Sequence, residues 1–215
     1  MATPMNDIRQ IVERLGLTGE REAALHVTLL RELALGQPVT IERLAKSLNW
    51  TPDEVVLVLD ELPAGTIEYD GQGRLIGYGI TLRETPHAFV VNDQTLYTWC
   101  ALDALMFPIV IDEHAQVQSP CPHTNKPVTL TVTPQGVLLL QPEDAVVSLV
   151  SVAAAGDIRS AFCCDVHFFA SRQAGEAWGR DKMHVHMVSV QEGFELGQRI
   201  AHLILNRARS DQHGS

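Results

Sequence analysis

The sequence has no apolar stretch approaching the roughly 18 residues that a membrane helix needs. Its best candidate, Ala145–Ala155, is short and interrupted by Ser148 and Ser151. The start, MATPMNDIRQ, has no basic segment leading into an apolar run, so no secretory leader is expected. Basic residues are scarce: 16 Lys and Arg face 26 Asp and Glu, a net charge of −10. That balance disfavours nucleic acid and anionic membrane as partners, since both require stripes of positive charge. No G-x-S-x-G elbow occurs, and Gly77-Tyr78-Gly79 lacks the third glycine and following helix of a dinucleotide loop. Nothing therefore calls for an organic cofactor. Cysteines number four, too few for a disulfide framework, and a cytoplasmic chain with free thiols is expected.

What is present fits an ordinary globular protein. With 46% hydrophobic and 20% charged residues over 215 positions, the chain can bury one large core or two small ones. The first 62 residues read as helices. Ile8, Ile11, Val12 and Leu15 form one apolar stripe, Glu20–Leu35 runs up to Gly36, and Ile41–Leu48 follows Thr40. Thr51-Pro52-Asp53-Glu54 is a capping box with proline at the first helical position, which starts Glu54–Leu62. Next come Thr66–Tyr69, a turn at 70–73 and Leu75–Thr81, a β-hairpin behind a helix-turn-helix. The pattern is that of a winged helix, but its charge argues against DNA. Residues 1–90 carry 8 basic and 13 acidic side chains, and the would-be recognition helix DEVVLVLDEL has four acidic residues and no basic one. A scaffold or lid is the better reading, with a boundary at 84/85 separating it from a second domain.

That second domain, 85–215, reads as α+β with antiparallel sheet. Strand-like HAFVV precedes a helix expected over Leu96–Pro108, capped by Asn92 or Asp93 and ended or kinked by Pro108. Short strands follow at Ala115–Ser119, Val128–Thr133, Val137–Gln141 and Val146–Val152. Asp157 should cap a short helix to Phe162, followed by Cys163-Cys164 and a strand Val166–Ala170. Helix Glu176–Lys182, strand Val185–Val190 and a closing helix Glu192–Arg209 complete the chain, with a disordered tail at 210–215.

The chemistry centres on LYTWCALDALMFP. Cys100 and Asp103, three apart on a helix, share one face, and apolar neighbours should raise the Asp103 pKa so that it can carry a proton. Cys163 and Cys164 supply a second thiol. Adjacent residues of a strand point opposite ways, so one should face a site and the other the core, with Cys163 better placed at the element junction. Cys121, His123, His167, His184 and His186 match no zinc spacing and read as core or solvent-facing residues. Two thiols and a carboxyl group suit handling of a soft metal.

The segments TWCALDALMFP, SAFCCDVHFFAS and IGYGITLRET resemble those of the alkylmercury (organomercurial) lyases, in the same order, within a likeness running from about Leu29 through the closing helix. The resemblance implies protonolysis of carbon–mercury bonds, giving a hydrocarbon and Hg(II), within bacterial mercury resistance. It implies Cys100, Asp103 and Cys163 as catalytic and mercury-binding residues, although some relatives carry serine at the aspartate position. It also implies Ile80, Trp99 and Phe162 as an apolar wall, with Cys121 structural and Cys164 not catalytic. An organomercurial would be the substrate; cytosolic thiols or a mercuric reductase would remove the metal. The alternatives are a soft-metal-sensing winged-helix regulator and an Hg(II) storage or delivery protein.

Overall fold

The computed structural model describes residues 8, 11–13, 16–150 and 163–211. Helices α1 (Glu20–Leu33), α2 (Ile41–Leu48) and α3 (Pro52–Glu61) come first, as the caps imply. Thr40 and Thr51 each accept a backbone N–H three residues on, and Thr51 with Glu54 completes the expected capping box. Gly19 occupies the N-cap of α1. Asn49 takes a left-handed conformation (φ 58°) between α2 and α3, and the Arg21 guanidinium lies 4.4 Å over the Trp50 ring, fixing this corner to α1.

Strands β1 (Glu68–Tyr69), β2 (Leu75–Tyr78) and β3 (Ile80–Thr81) make the wing. They are followed by β4 (His87–Val91), β5 (Gln94–Thr98), β6 (Ala115–Pro120), β7 (Pro127–Thr133) and β8 (Gly136–Gln141). Among the described residues all eight join one antiparallel sheet, ordered β1-β2-β3-β5-β4-β6-β7-β8. The wing thus enters the main sheet by pairing Ile80 with Thr98 and Thr81 with Tyr97. A smaller sheet, ordered β10-β9-β11, is formed by β9 (Val146–Val150), β10 (Phe168–Phe169) and β11 (Val185–Ser189).

The helix that carries Cys100 begins later than the apolar spacing suggested. Residues 94–98 are strand β5, and helix α4 is Ala101–Ile111. Asn92 and Asp93, with φ 48° and 62°, do not cap it; they form the tight turn that joins β4 to β5. Two successive residues at positive φ give a hairpin turn whose twist matches its strands. Nor does Pro108 end the helix, which continues to Ile111. Every residue of α4 is buried, as an ALDALMFPIVI sequence that is apolar all round requires.

Helices α5 (Arg172–Trp178) and α6 (Val190–Asp211) complete the fold, with α6 packed on α1 and α4. Gly197 allows close approach, since a Cβ there would come within 3.3 Å of the Met106 backbone. Helix α5 starts earlier than expected because Ser171 caps it, and α6 runs through Asp211, past the expected start of a disordered tail. The expected helix at 158–162 and its Asp157 cap lie outside the described residues, as does Leu15. Instead of opening directly into a strand, Cys163, Cys164 and Asp165 form one turn of 3₁₀ helix.

Candidate active site

Cys100 stands at the junction of β5 and α4, as the N-cap of α4, in extended conformation (φ −147°, ψ 172°). Its sulfur accepts the Asp103 backbone N–H, and Asp103 Oδ2 accepts the Cys100 N–H at 3.1 Å. The C-x-x-D spacing is therefore a capping box, with cysteine in place of serine or threonine and aspartate in place of glutamate. Both side chains are locked by the same two bonds that start the helix.

The strands on either side fix the Cys100 backbone. Thr98 Oγ1 donates to the Cys100 carbonyl at 3.0 Å, and Thr85 Oγ1 donates to the Thr98 carbonyl at 2.7 Å. The Trp99 N–H donates to Gly79 O at 3.0 Å, which seats Trp99 on the turn between β2 and β3. Gly79 holds φ +88°, and a Cβ there would lie 2.4 Å from Phe107 Cζ, so the wing closes onto α4 only with glycine at this place. Ile80 is fully buried and Trp99 nearly so. Phe162, the third expected wall residue, lies outside the described residues.

Cys163 arrives on the turn that leads into β10 of the smaller sheet. The Ala101 N–H, the first of α4, donates to Val166 O at 3.1 Å and draws the 163–166 segment to the helix start. The result brings Cys163 to Cys100 and Asp103, which lie 63 and 60 residues before it in sequence. Cys100 Sγ, Cys163 Sγ and one Asp103 carboxylate oxygen all lie within 4.8 Å of one another. A thiolate–metal bond is ~2.3 Å for zinc, so one soft ion between the sulfurs can touch both. Among the described residues this is the one cluster of three or more His, Cys, Asp or Glu side chains able to hold an ion. The described histidines and Cys121 make no such group.

Burial dominates the electrostatics. Cys100 is 1% exposed, Cys163 7% and Asp103 9%. Burial pushes the Cys100 thiol well above its usual range, helped by its hydrogen bond with Cys163 and by the Asp103 charge. The resting site thus holds a protonated Cys100. Cys163 is buried while its neighbour Cys164 is exposed, and none of the four cysteines is in a disulfide. At Cys121 burial raises the thiol pKa, but hydrogen bonds from Thr124 Oγ1 and from the Ala170, Thr124 and His123 backbone outweigh it, so the net shift is downward. Those contacts make Cys121 a tie between the loop after β6 and the end of β10.

No sequence motif assigns Thr98 or Ser148 to the site. Both are fully buried; a polar side chain inside the apolar strand VVSLV is the signal that would have found Ser148, whereas QTLYT is polar at three of five positions and gives none for Thr98.

Comparison with known proteins identifies the family. The alkylmercury lyase family model matches residues 80–202, and a model of the helix-turn-helix domain of alkylmercury lyase matches 9–79. An alkylmercury lyase of Pseudomonas putida is 48% identical over 199 residues, covering 92% of this chain and 93% of its own. One from Streptomyces lividans is 44% identical over 177 residues, with 82% and 81% covered. The crystal structure of the mercury-bound form of MerB2 shares the fold at a TM-score of 0.78 and 18% identity, covering 93% of this chain and 99% of that one. With its two-thiol, one-carboxylate cluster inside the matched region, the chain belongs to the alkylmercury lyase family.

Proposed function

We propose that this chain is an organomercurial lyase that cleaves carbon–mercury bonds by protonolysis, with Cys100, Asp103 and Cys163 as its working groups. The observation that carries the reading is the convergence of these two sulfurs and one carboxylate within 4.8 Å in a buried setting. A carbon–mercury bond resists water, whereas thiolates bind mercury strongly and push electron density towards the carbon.

The steps follow from the protonation states. Cys100 enters as a thiol. As its sulfur bonds to mercury, its proton passes to Asp103, the acidic partner joined to it through the capping box. Cys163 adds as the second ligand and enriches the carbon further. Asp103 then gives its proton to the leaving carbon as the carbon–mercury bond breaks. The proton released by Cys163 returns to Asp103, so the products are a hydrocarbon and Hg(II) held by two thiolates beside a neutral acid. Ile80 and Trp99 exclude water around the organic group, which strengthens each of these electrostatic effects. External thiols of a reducing cytoplasm, or a mercuric reductase, would take the metal away.

Incubation with methylmercury and an excess of thiol tests the reading. Methane in the headspace is the expected result. Stoichiometric mercury binding with no hydrocarbon would instead make the chain a storage or delivery protein.

A further inference from the structure

The two sulfurs sit on separate elements, so something must set the distance between them. Cys100 is fixed by the start of α4. Cys163 belongs to a three-residue turn, and a turn this short cannot hold its own position. Its anchor is found on β9. Ser148 is fully buried in the otherwise apolar strand VVSLV. Its hydroxyl donates to the Asp165 carbonyl at 2.7 Å, leans towards the His167 carbonyl at 3.4 Å, and accepts the His167 N–H at 2.9 Å. The Ser148 N–H donates to His167 O at 3.0 Å. One side chain thus grips the chain on both sides of Val166, and the Val166 carbonyl is the group that receives the Ala101 N–H.

We propose that Ser148 is a positioning residue for the carbon–mercury lyase reaction, holding the Cys163 turn so that its sulfur meets Cys100. The chain of contact runs from β9 through Ser148 to Asp165 and His167, through Val166 to Ala101, and so to Cys100. The turn closes on itself through the Val166 N–H to Cys163 O at 3.2 Å, so a shift at Val166 carries to Cys163. The other ties are more exposed. Asp165 is bound by Lys182 at 2.5 Å and His184 at 2.9 Å at the surface, and His167 Nε2–H donates to the Cys164 carbonyl at 2.8 Å. Of the side chains named here that tie this segment, Ser148 is the one fully out of water, where a hydrogen bond faces little competition from solvent.

The inference rests on the proposed reaction, and its test separates the two. Ser148→Ala and Ser148→Thr are compared with the parent for kcat and KM with methylmercury, for thermal unfolding, and for retention of Hg(II) against a competing dithiol. An ångström of misplacement costs about 10²-fold in rate, so Ser148→Ala should lose roughly that in kcat with KM little changed and unfolding still cooperative. Ser148→Thr, which keeps the hydroxyl, should recover most of the loss. Ser148→Ala should also surrender Hg(II) more readily, because one sulfur no longer reaches.

If Ser148→Ala does not fold, Ala101→Pro addresses the same tie. Proline is well accepted at the first position of a helix, but it removes the N–H that Val166 receives and sets a ring carbon in its way. A folded Ser148→Ala or Ala101→Pro protein with parental kcat overturns the proposal. Should the parent release no hydrocarbon, the lyase reading fails, and Hg(II) retention decides on Ser148: equal retention by the parent and Ser148→Ala refutes its role.

Discussion

Replacing Asp103 by asparagine separates two duties that this side chain performs. As a cap, Asp103 Oδ2 accepts the Cys100 N–H at 3.1 Å, and an asparagine amide oxygen can accept the same bond. As a proton carrier it has no substitute in asparagine. The structural change should therefore be small, within about 1 kcal/mol, which for a chain of this size moves Tm by roughly 2–4 °C. The rate change should be large. Loss of a positioned general acid costs about 10²–10⁴-fold, or roughly 3–5 kcal/mol in the barrier. Asp103→Ala makes the contrast, because it also leaves the buried Cys100 N–H without its acceptor, at a cost of about 1–3 kcal/mol. The assay is initial-rate release of hydrocarbon, run beside Hg(II) titration and thermal unfolding. Asp103→Asn should bind mercury, unfold near the parental temperature and turn over slowly. Turnover at the parental rate would remove the carboxyl group from the proton path and refute the reaction scheme.

Three further outcomes are expected. Cys163→Ser should abolish hydrocarbon release while Cys164→Ser retains most of it, and iodoacetamide at mildly alkaline pH should label the exposed Cys164 well before the buried, protonated Cys100, as peptide mass mapping would report. His26 and His87 are buried and neutral with pKa values lowered to about 3, by burial at His26 and by burial and then the nearby His167 at His87. The unfolded chain takes up their protons below the ordinary histidine value of 6.5, so this stability is complete above pH 6.5 and is lost as pH falls towards 3. Replacing His26, whose two ring nitrogens have no hydrogen-bond partner among the described residues, by leucine should flatten the fall in urea-unfolding free energy over that range. Gly79→Ala should destabilise the chain by about 1–3 kcal/mol in chemical denaturation, since φ is +88° and the added carbon meets the Phe107 ring.

Much of the fold could be read directly from the residues. Thr40, Thr51 and Pro52 declare the starts of α2 and α3, and Pro134-Gln135-Gly136 marks the turn between β7 and β8. The error around 92–100 has a physical cause. Leu96, Cys100, Asp103 and Phe107 fall at helical spacing by coincidence, while Asn92-Asp93 between HAFVV and QTLYT is a hairpin turn without glycine. Cysteine at an N-cap hides a helix start, since serine, threonine or aspartate normally announces it. Cys100 and Asp103 were recognisable as neighbours because a three-residue spacing survives the change from mid-helix to cap. Their meeting with Cys163 was implied by the family resemblance but could not be derived from spacing, because it depends on Ala101, Ser148 and Val166, whose roles exist only once β9 and α4 lie side by side.

The insertion of β3 beside β5 has a consequence for dissection of the molecule. Cutting near residue 84 would strip Ile80 and Thr81 from Thr98 and Tyr97 and lay bare a sheet border two positions from Cys100. Unpaired borders of this kind recruit other chains. An isolated C-terminal fragment would therefore tend to clump, and its reactive sulfur would lie beside the frayed margin; the short wing strand in front serves as the cover for the strand that delivers the thiol.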